Sequence, residues 1–136
     1  MHGRAFLDVA RTVVSAATEP YWRATVIHTY YALFLVCCDA LTRWGIAVSP
    51  GQNAHSAVRL RYIYVAEPSL KRLGFALDHW CRKRNDASYN LGVLPDFASD
   101  QIAQIAVAEV TAALALLDAI ESDPMRRAAA IASFPP

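Results

Sequence analysis

Apolar positions recur along this chain at helical spacing, and prolines and glycines divide them into segments. From about Arg4 to Ala17, the residues Phe6, Leu7, Ala10, Val13, Val14 and Ala17 fall on one face and predict a first helix. Thr18-Glu19-Pro20 restarts the chain, with Thr18 or Glu19 as cap and Pro20 near the first helical position. The second helix, about Tyr21 to Trp44, is apolar nearly all round, as a central helix or one shared with a second subunit must be. Gly45 follows it as a C-cap. Ser49-Pro50-Gly51-Gln52-Asn53 is dense in turn formers and makes the first loop. A short helix from about Ala54 to Ala66 stops at Glu67-Pro68. Pro68 or Ser69 then opens a fourth, carrying Leu70, Leu73, Phe75, Leu77 and Trp80 into the basic run Arg82-Lys83-Arg84. Asn85 to Phe97, with Asn90, Gly92 and Pro95, reads as a loop. The fifth helix, about Ala98 to Glu121, has the cleanest pattern: Ile102, Ile105, Ala106, Val110, Ala113, Leu116, Leu117 and Ile120 share one face. Glu109 falls on that apolar face and is expected to find a cation or a subunit boundary there. Asp123-Pro124 caps a last short helix, Met125 to Ser133. No β-period and no internal repeat interrupts the series. The fold class that follows is all-α, an antiparallel four- to five-helix bundle forming a single domain over residues 1–136.

Composition adds a partner to that picture. The chain of 136 residues is 55% hydrophobic and 18% charged, which excludes intrinsic disorder. Charge below the globular average of about 25% points to apolar surface shared with another chain. The net charge of +1 hides a segregation. Residues 1–58 hold four basic and three acidic side chains, residues 59–84 hold seven and two, and residues 85–136 hold two and seven. An anionic ligand on the middle segment, nucleic acid above all, is one explanation. Packing of the basic middle helices beside the acidic last one is the other, and the two are compatible.

The three cysteines, Cys37, Cys38 and Cys81, follow no framework spacing and read as reduced thiols of a cytoplasmic protein. Cys81 and His79 lack the spacing of a metal site, so neither metal nor cofactor is expected. The first residues lack the apolar core of a secretory signal. Ala24 to Cys38 is fifteen residues without formal charge, short of the ~20 that span a bilayer, so no membrane role is expected.

No Gly-rich phosphate loop, nucleophile motif or paired-carboxylate spacing is present. Arg82-Lys83-Arg84-Asn85-Asp86-Ala87-Ser88-Tyr89 stands out instead, at an expected helix-to-loop boundary where cations meet the negative end of the helix dipole. Arg72, His79 and Lys83 share a helical stripe suited to contacting RNA. Tyr62 and Tyr64 sit close to Arg59 and Arg61, a mixture that either stacks on unpaired bases or forms a half-buried face. His28 reads as a satisfied core histidine, and Tyr30, Tyr31 and Phe34 as core or dimer seam. His55 reads as a helix-start residue bonding locally or as a cleft residue.

Thr29-Tyr30-Tyr31-Ala32-Leu33-Phe34 resembles the "YYAMF" helix of HEPN domains (higher eukaryotes and prokaryotes nucleotide-binding), in their small stand-alone prokaryotic branch. His55-Ser56 opens the next helix where that branch often has a His-Ser or His-Gly pair. Arg84-Asn85-Asp86-Ala87-Ser88-Tyr89 is similar to its Arg-x-x-Ala-Asp-Tyr element, with Ser88 in place of the Asp. The resemblance covers roughly residues 5–121. It implies a bundle, usually a homodimer, with functional motifs lining a cleft between subunits. Many members are metal-independent endoribonucleases of toxin–antitoxin and antiviral systems, using an Arg followed after four to six residues by a His. That chemistry needs a proton-transfer group for the 2′-hydroxyl and a fixed cation for the phosphorane charge.

Here the pattern is broken, because no histidine follows His79 and Tyr89 stands at the matching distance from Arg84. A phenol titrating near ~10 is a poor base at neutral pH. Arg23 to His28 and Arg72 to His79 match the spacing but lie in the wrong helix or the wrong part of it. The resemblance assigns catalysis to Arg84, Asn85, Tyr89 and His55. RNA binding falls to Arg82, Lys83, Arg72, His79, Arg59 and Arg61. It also gives Tyr89 a second reading, as a tyrosine that a partner nucleotidyltransferase modifies. Two functions from different classes follow: a defence protein acting on RNA, or a non-catalytic dimeric module that binds a nucleotidyltransferase, antitoxin or other defence component. A plain helical adaptor would leave the charge segregation without a role.

Overall fold

The computed structural model describes residues 2–48 and 53–136. The expected turn at 49–52 lies outside the described residues. Among those described, the chain forms six α-helices and one 3₁₀ turn, with no strand: α1 (Ala5–Val13), α2 (Glu19–Arg43), α3 (Ala54–Tyr64), α4 (Pro68–Tyr89), the 3₁₀ turn Pro95–Phe97, α5 (Gln101–Glu121) and α6 (Pro124–Ala132). The fold is an all-α bundle, and its sixth helix is the short C-terminal one that the sequence places after Asp123-Pro124.

α2 runs through the middle and packs against α1, α3, α4 and α5, which explains why its apolar residues surround the axis. Val26, Tyr30, Leu33, Cys37, Ala40 and Leu41 are fully or nearly fully buried along it. It ends as the sequence predicts. Gly45 takes φ +70°, its N–H donates to the Thr42 carbonyl, and the Ile46 N–H donates to Leu41 across 2.9 Å. That pair of bonds is a Schellman closure, and it needs the left-handed residue that glycine supplies without strain. α2 and α5 are each long and apolar enough to cross a membrane by length and composition, and 56% and 39% of their most apolar stretches are buried inside the bundle.

Caps decide the other boundaries. Glu67 accepts from the Leu70 N–H at 2.8 Å and starts α4, and Asp123 accepts from Met125 and Arg126 at 3.1 Å and starts α6. α1 stops at Val13 rather than Ala17. The Trp22 indole N–H donates to the Ala16 carbonyl at 2.6 Å, which fixes the chain after Val13 as a turn. α6 is anchored by buried Ala130 and Phe134 and by the Ala66 N–H donating to Ser133. Gly74 marks the closest approach of α3 and α4, since a Cβ there would stand 2.7 Å from the backbone of Tyr62 and Ile63. Tyr62 is fully buried and donates to the Cys37 carbonyl at 2.8 Å, locking α3 onto α2.

The largest departure from the sequence reading is α4. It does not end at Arg84 but continues through Asn85-Asp86-Ala87-Ser88 to Tyr89. Arg23 of α2 is the cause. Its Nη1 donates to the carbonyls of Asp86, Ala87 and Asn90 at 3.1, 3.2 and 2.7 Å, and its Nη2 donates to Gly92 at 3.3 Å. Glu19 holds the other edge of the guanidinium at 2.8 and 2.9 Å, and the Phe97 ring lies 4.5 Å below it. The last carbonyls of a helix lack intrahelical donors. A buried cation from a neighbouring helix supplies them here, so Arg82, Lys83 and Arg84 lie inside the helix rather than at its dipole end.

Candidate functional site

Three helices converge on one aromatic cluster. Tyr30 and Phe34 lie four residues apart on α2 and share a face, their rings 6.0 Å apart and 17° from parallel. His55, in the first turn of α3, stacks on Phe34 with centroids 4.1 Å apart. Its Nδ1 lies 2.6 Å from the Tyr30 hydroxyl. From α4, the Arg84 guanidinium carbon sits 5.2 Å from the Tyr30 ring centre and 5.6 Å from that of Tyr31. Cys81, one turn before Arg84, is buried beside Tyr30 and Arg84. Arg84 and His55 therefore share one platform, although they lie 29 positions apart on the successive helices α4 and α3.

Burial and charge set the state of these groups. Burial, with Cys81 beside it, pushes the Tyr30 phenol far above its ordinary range, so it stays protonated. Burial lowers the pKa of His55 below its ordinary value, and the positive charge of Arg84 lowers it further. The imidazole is thus neutral near pH 7. Arg84 has no carboxylate partner among the described residues; the Cys81 thiol and the Tyr30 hydroxyl lie beside it, and its Nε is buried without an acceptor. Two aromatic faces hold it by cation–π attraction of about 0.5–2 kcal/mol. The cluster combines an unpaired cation with a neutral imidazole and contains no carboxylate. Such a set of groups suits an anionic oxygen.

The remaining expected site residues lie outside this cluster. Asn85 and Tyr89 are exposed and make no hydrogen bond or ring contact with it, and Tyr89 is 77% exposed on the last turn of α4. Arg82 pairs with Asp78, which Arg59 also approaches at 3.6 Å, and Lys83 reaches Asp96 at 2.6 Å. Arg59 and Arg82 share the one carboxylate of Asp78 within the middle segment, and of these three cations Lys83 alone pairs with the acidic C-terminal part of the chain, at Asp96 of the 3₁₀ turn rather than on the last helices. Arg61 donates to the carbonyls of Ala47 and Pro135 at 2.8 and 2.9 Å, a clamp between segments. Arg72 is exposed and has no ion pair among the described residues. His79 is also exposed, with its ring edge-on to Trp80 at 4.8 Å. Tyr64 is exposed and Tyr62 is not, so the two do not present a common stacking face.

Other expectations meet different partners. Glu109 accepts from the Trp80 indole N–H at 3.1 Å rather than from a cation. His28 stacks on Phe6 at 5.9 Å, and its Nδ1 is buried without a hydrogen bond among the described residues, so it is not the satisfied histidine the pattern suggests. Arg23, one half of a formal Arg-to-His spacing, is the buried clamp of α4. No group of three His, Cys, Asp or Glu side chains among the described residues is placed to hold a metal ion.

Two participants escape a sequence reading. Tyr30 passes for core, although its hydroxyl is the contact that orients His55. Cys81 passes for a lone thiol, although its i, i+3 spacing to Arg84 is a signal that the two share a face. No family model, curated protein or solved structure matches the chain.

Proposed function

We propose that this chain is a HEPN-like component of a prokaryotic toxin–antitoxin or antiviral defence system that acts on RNA through Arg84 and His55. The observation that carries the reading is the placement of those two side chains on one Tyr30–Tyr31–Phe34 platform. Arg84 has no carboxylate partner among the described residues and is held by aromatic faces, which leaves its charge for a phosphodiester oxygen. In the reaction, the 2′-oxygen attacks phosphorus as the 5′-oxygen leaves, yielding a 2′,3′-cyclic phosphate and a 5′-hydroxyl. One proton leaves the 2′-hydroxyl and one reaches the 5′-oxygen, both exchanged with water. Arg84 meets the charge that grows on the phosphorane oxygens. One such fixed donor contributes about 10²–10³ in rate, so the enzyme is a slow, metal-independent endoribonuclease. The protein works as a homodimer in the cytoplasm.

The test is cleavage of a mixed RNA pool by purified protein in the presence of a chelator, beside Arg84→Ala. Cleavage that leaves cyclic phosphate ends, survives chelation and is lost in the variant supports the reading. A folded protein that leaves RNA intact counts against it.

A non-catalytic dimeric module partnering a minimal nucleotidyltransferase, an antitoxin or another defence protein is the second reading. The exposed Tyr89, followed by Leu91 and Val93 at 81% and 102% exposure, favours it. That segment is fixed by Arg23 and offers both apolar contact area and an accessible phenol.

A further inference from the structure

We propose that Tyr30 is a positioning residue whose hydroxyl donates to His55 Nδ1, fixing the imidazole proton on Nε2, so that His55 meets an RNA phosphate as a neutral N–H donor beside Arg84 and not as the general base. The inference rests on the RNA reading for its ligand, and on geometry alone for the state of the histidine.

The direction of the hydrogen bond follows from three observations. First, the O···N separation of 2.6 Å is short, and between a phenol and an imidazole the phenol is the stronger acid and the ring nitrogen the better acceptor. Second, Tyr30 is 1% exposed, so bulk water does not compete for its proton. Third, Arg84 lies on the same side chain, 5.2 Å from the ring centre. A guanidinium has only donors, so it offers the phenol hydrogen no acceptor and leaves His55 Nδ1, at 2.6 Å, to take it.

The titratable and charged groups facing His55 are Tyr30 and Tyr31 from α2 and Arg84 from α4. None is a carboxylate, so nothing there stabilises an imidazolium and the adjacent cation opposes one. A neutral imidazole whose Nδ1 accepts a hydrogen bond carries its proton on Nε2. Nε2 makes no hydrogen bond within the chain among the described residues, which leaves its N–H for a ligand. A general base at that position would need the opposite tautomer.

Long-range imidazole nitrogen NMR of the ¹⁵N-labelled full chain near pH 7 reads the tautomer directly, with Tyr30→Phe as the isosteric variant. The wild type is expected to show a pyrrole-type Nε2 and a pyridine-type Nδ1. In Tyr30→Phe the two signals move toward each other and the imidazole pKa rises. RNA affinity, measured with a mixed-sequence single-stranded RNA, supplies the second readout. His55→Gln keeps an N–H near the Nε2 position and is expected to bind within about threefold of wild type, whereas His55→Ala loses about tenfold. A pyridine-type Nε2 in the wild type, or a Gln variant as impaired as the Ala variant, overturns the proposal. A protein with the expected tautomer that neither binds nor cleaves RNA overturns the RNA reading instead, and with it the phosphate as ligand.

Discussion

Arg23 Nη1 donates to the carbonyl of Asn90 across 2.7 Å, joining the first turns of α2 to the end of α4. The same guanidinium reaches three further carbonyls of that helix end and its loop, and is 8% exposed. Replacing it by alanine strands those acceptors and leaves Glu19 without its partner. Arg23→Ala should therefore cost roughly 2 kcal/mol, the scale of leaving buried hydrogen-bond acceptors unpaired, because Glu19 is half exposed and regains water. Hydrogen exchange should show residues 86–92 losing protection before the rest of α4. Chemical denaturation gives the first quantity, and exchange by mass spectrometry gives the second.

Gly74 offers a cleaner steric test. Alanine ordinarily favours a helix over glycine by up to about 1 kcal/mol. Here its Cβ would meet the Tyr62 and Ile63 backbone at 2.7 Å, and overpacking of that kind costs about 1–3 kcal/mol or more. Gly74→Ala should lower the melting temperature despite its better helix propensity. An unchanged or higher Tm would show that α3 and α4 can separate freely.

The helical punctuation was legible in the sequence wherever the boundary is local. Gly45, Glu67-Pro68 and Asp123-Pro124 act within their own turns, and all three end or begin helices as expected. The end of α4 was not legible. Asn85 to Asn90 is rich in turn formers, and the clamp that overrides their preference sits more than sixty residues earlier in the chain. On the fifth helix, Ile105 fits the apolar pattern yet is partly exposed, while Ala103 and Leu114, outside the predicted stripe, are buried. Apolar residues occur nearly all round α5, so periodicity there does not single out the packed face. The resemblance named His55 and Arg84 together with Asn85 and Tyr89, which lie outside the cluster; spacing along one helix cannot reveal that His55 and Arg84 meet across Tyr30. The basic run was visible as charge, but the pairing of Arg82 with Asp78 and of Lys83 with Asp96, which sets Arg84 apart, was not.

His55 makes folding stability depend on pH in a definite direction. Its folded pKa lies below the ordinary 6.5, because burial and Arg84 disfavour the charged form. Above 6.5 the imidazole is neutral in both states and its contribution is fully present. As pH falls from there toward the folded pKa, the unfolded chain takes up a proton that the folded one refuses, so this contribution is lost. Wild type should lose more stability than His55→Gln between pH 7 and the folded pKa of His55, measured by denaturant unfolding at each pH. Parallel profiles for the two proteins would contradict the burial of His55 beside a cation.

The charge pairing of the basic run separates Arg84 from its neighbour. Arg82 already pairs with Asp78, whereas Arg84 has no carboxylate partner among the described residues. Arg84→Ala should weaken RNA binding by about tenfold or more, the scale of hydrogen bonds to a charged group. Arg82→Ala should change it by less than about threefold, the scale of an exposed ion pair. Binding titrations at one fixed salt concentration make the comparison, because phosphate contacts weaken as salt rises.

The most direct test of the central claim is a double-mutant cycle at the shared platform. RNA affinity and cleavage are measured for wild type, Arg84→Ala, His55→Ala and the double variant under one set of conditions. Two donors holding one phosphate oxygen predict that each single variant loses activity and that the double loses clearly less than the sum of the two. Strict additivity, or single variants indistinguishable from wild type, would show that Arg84 and His55 do not act on a common ligand.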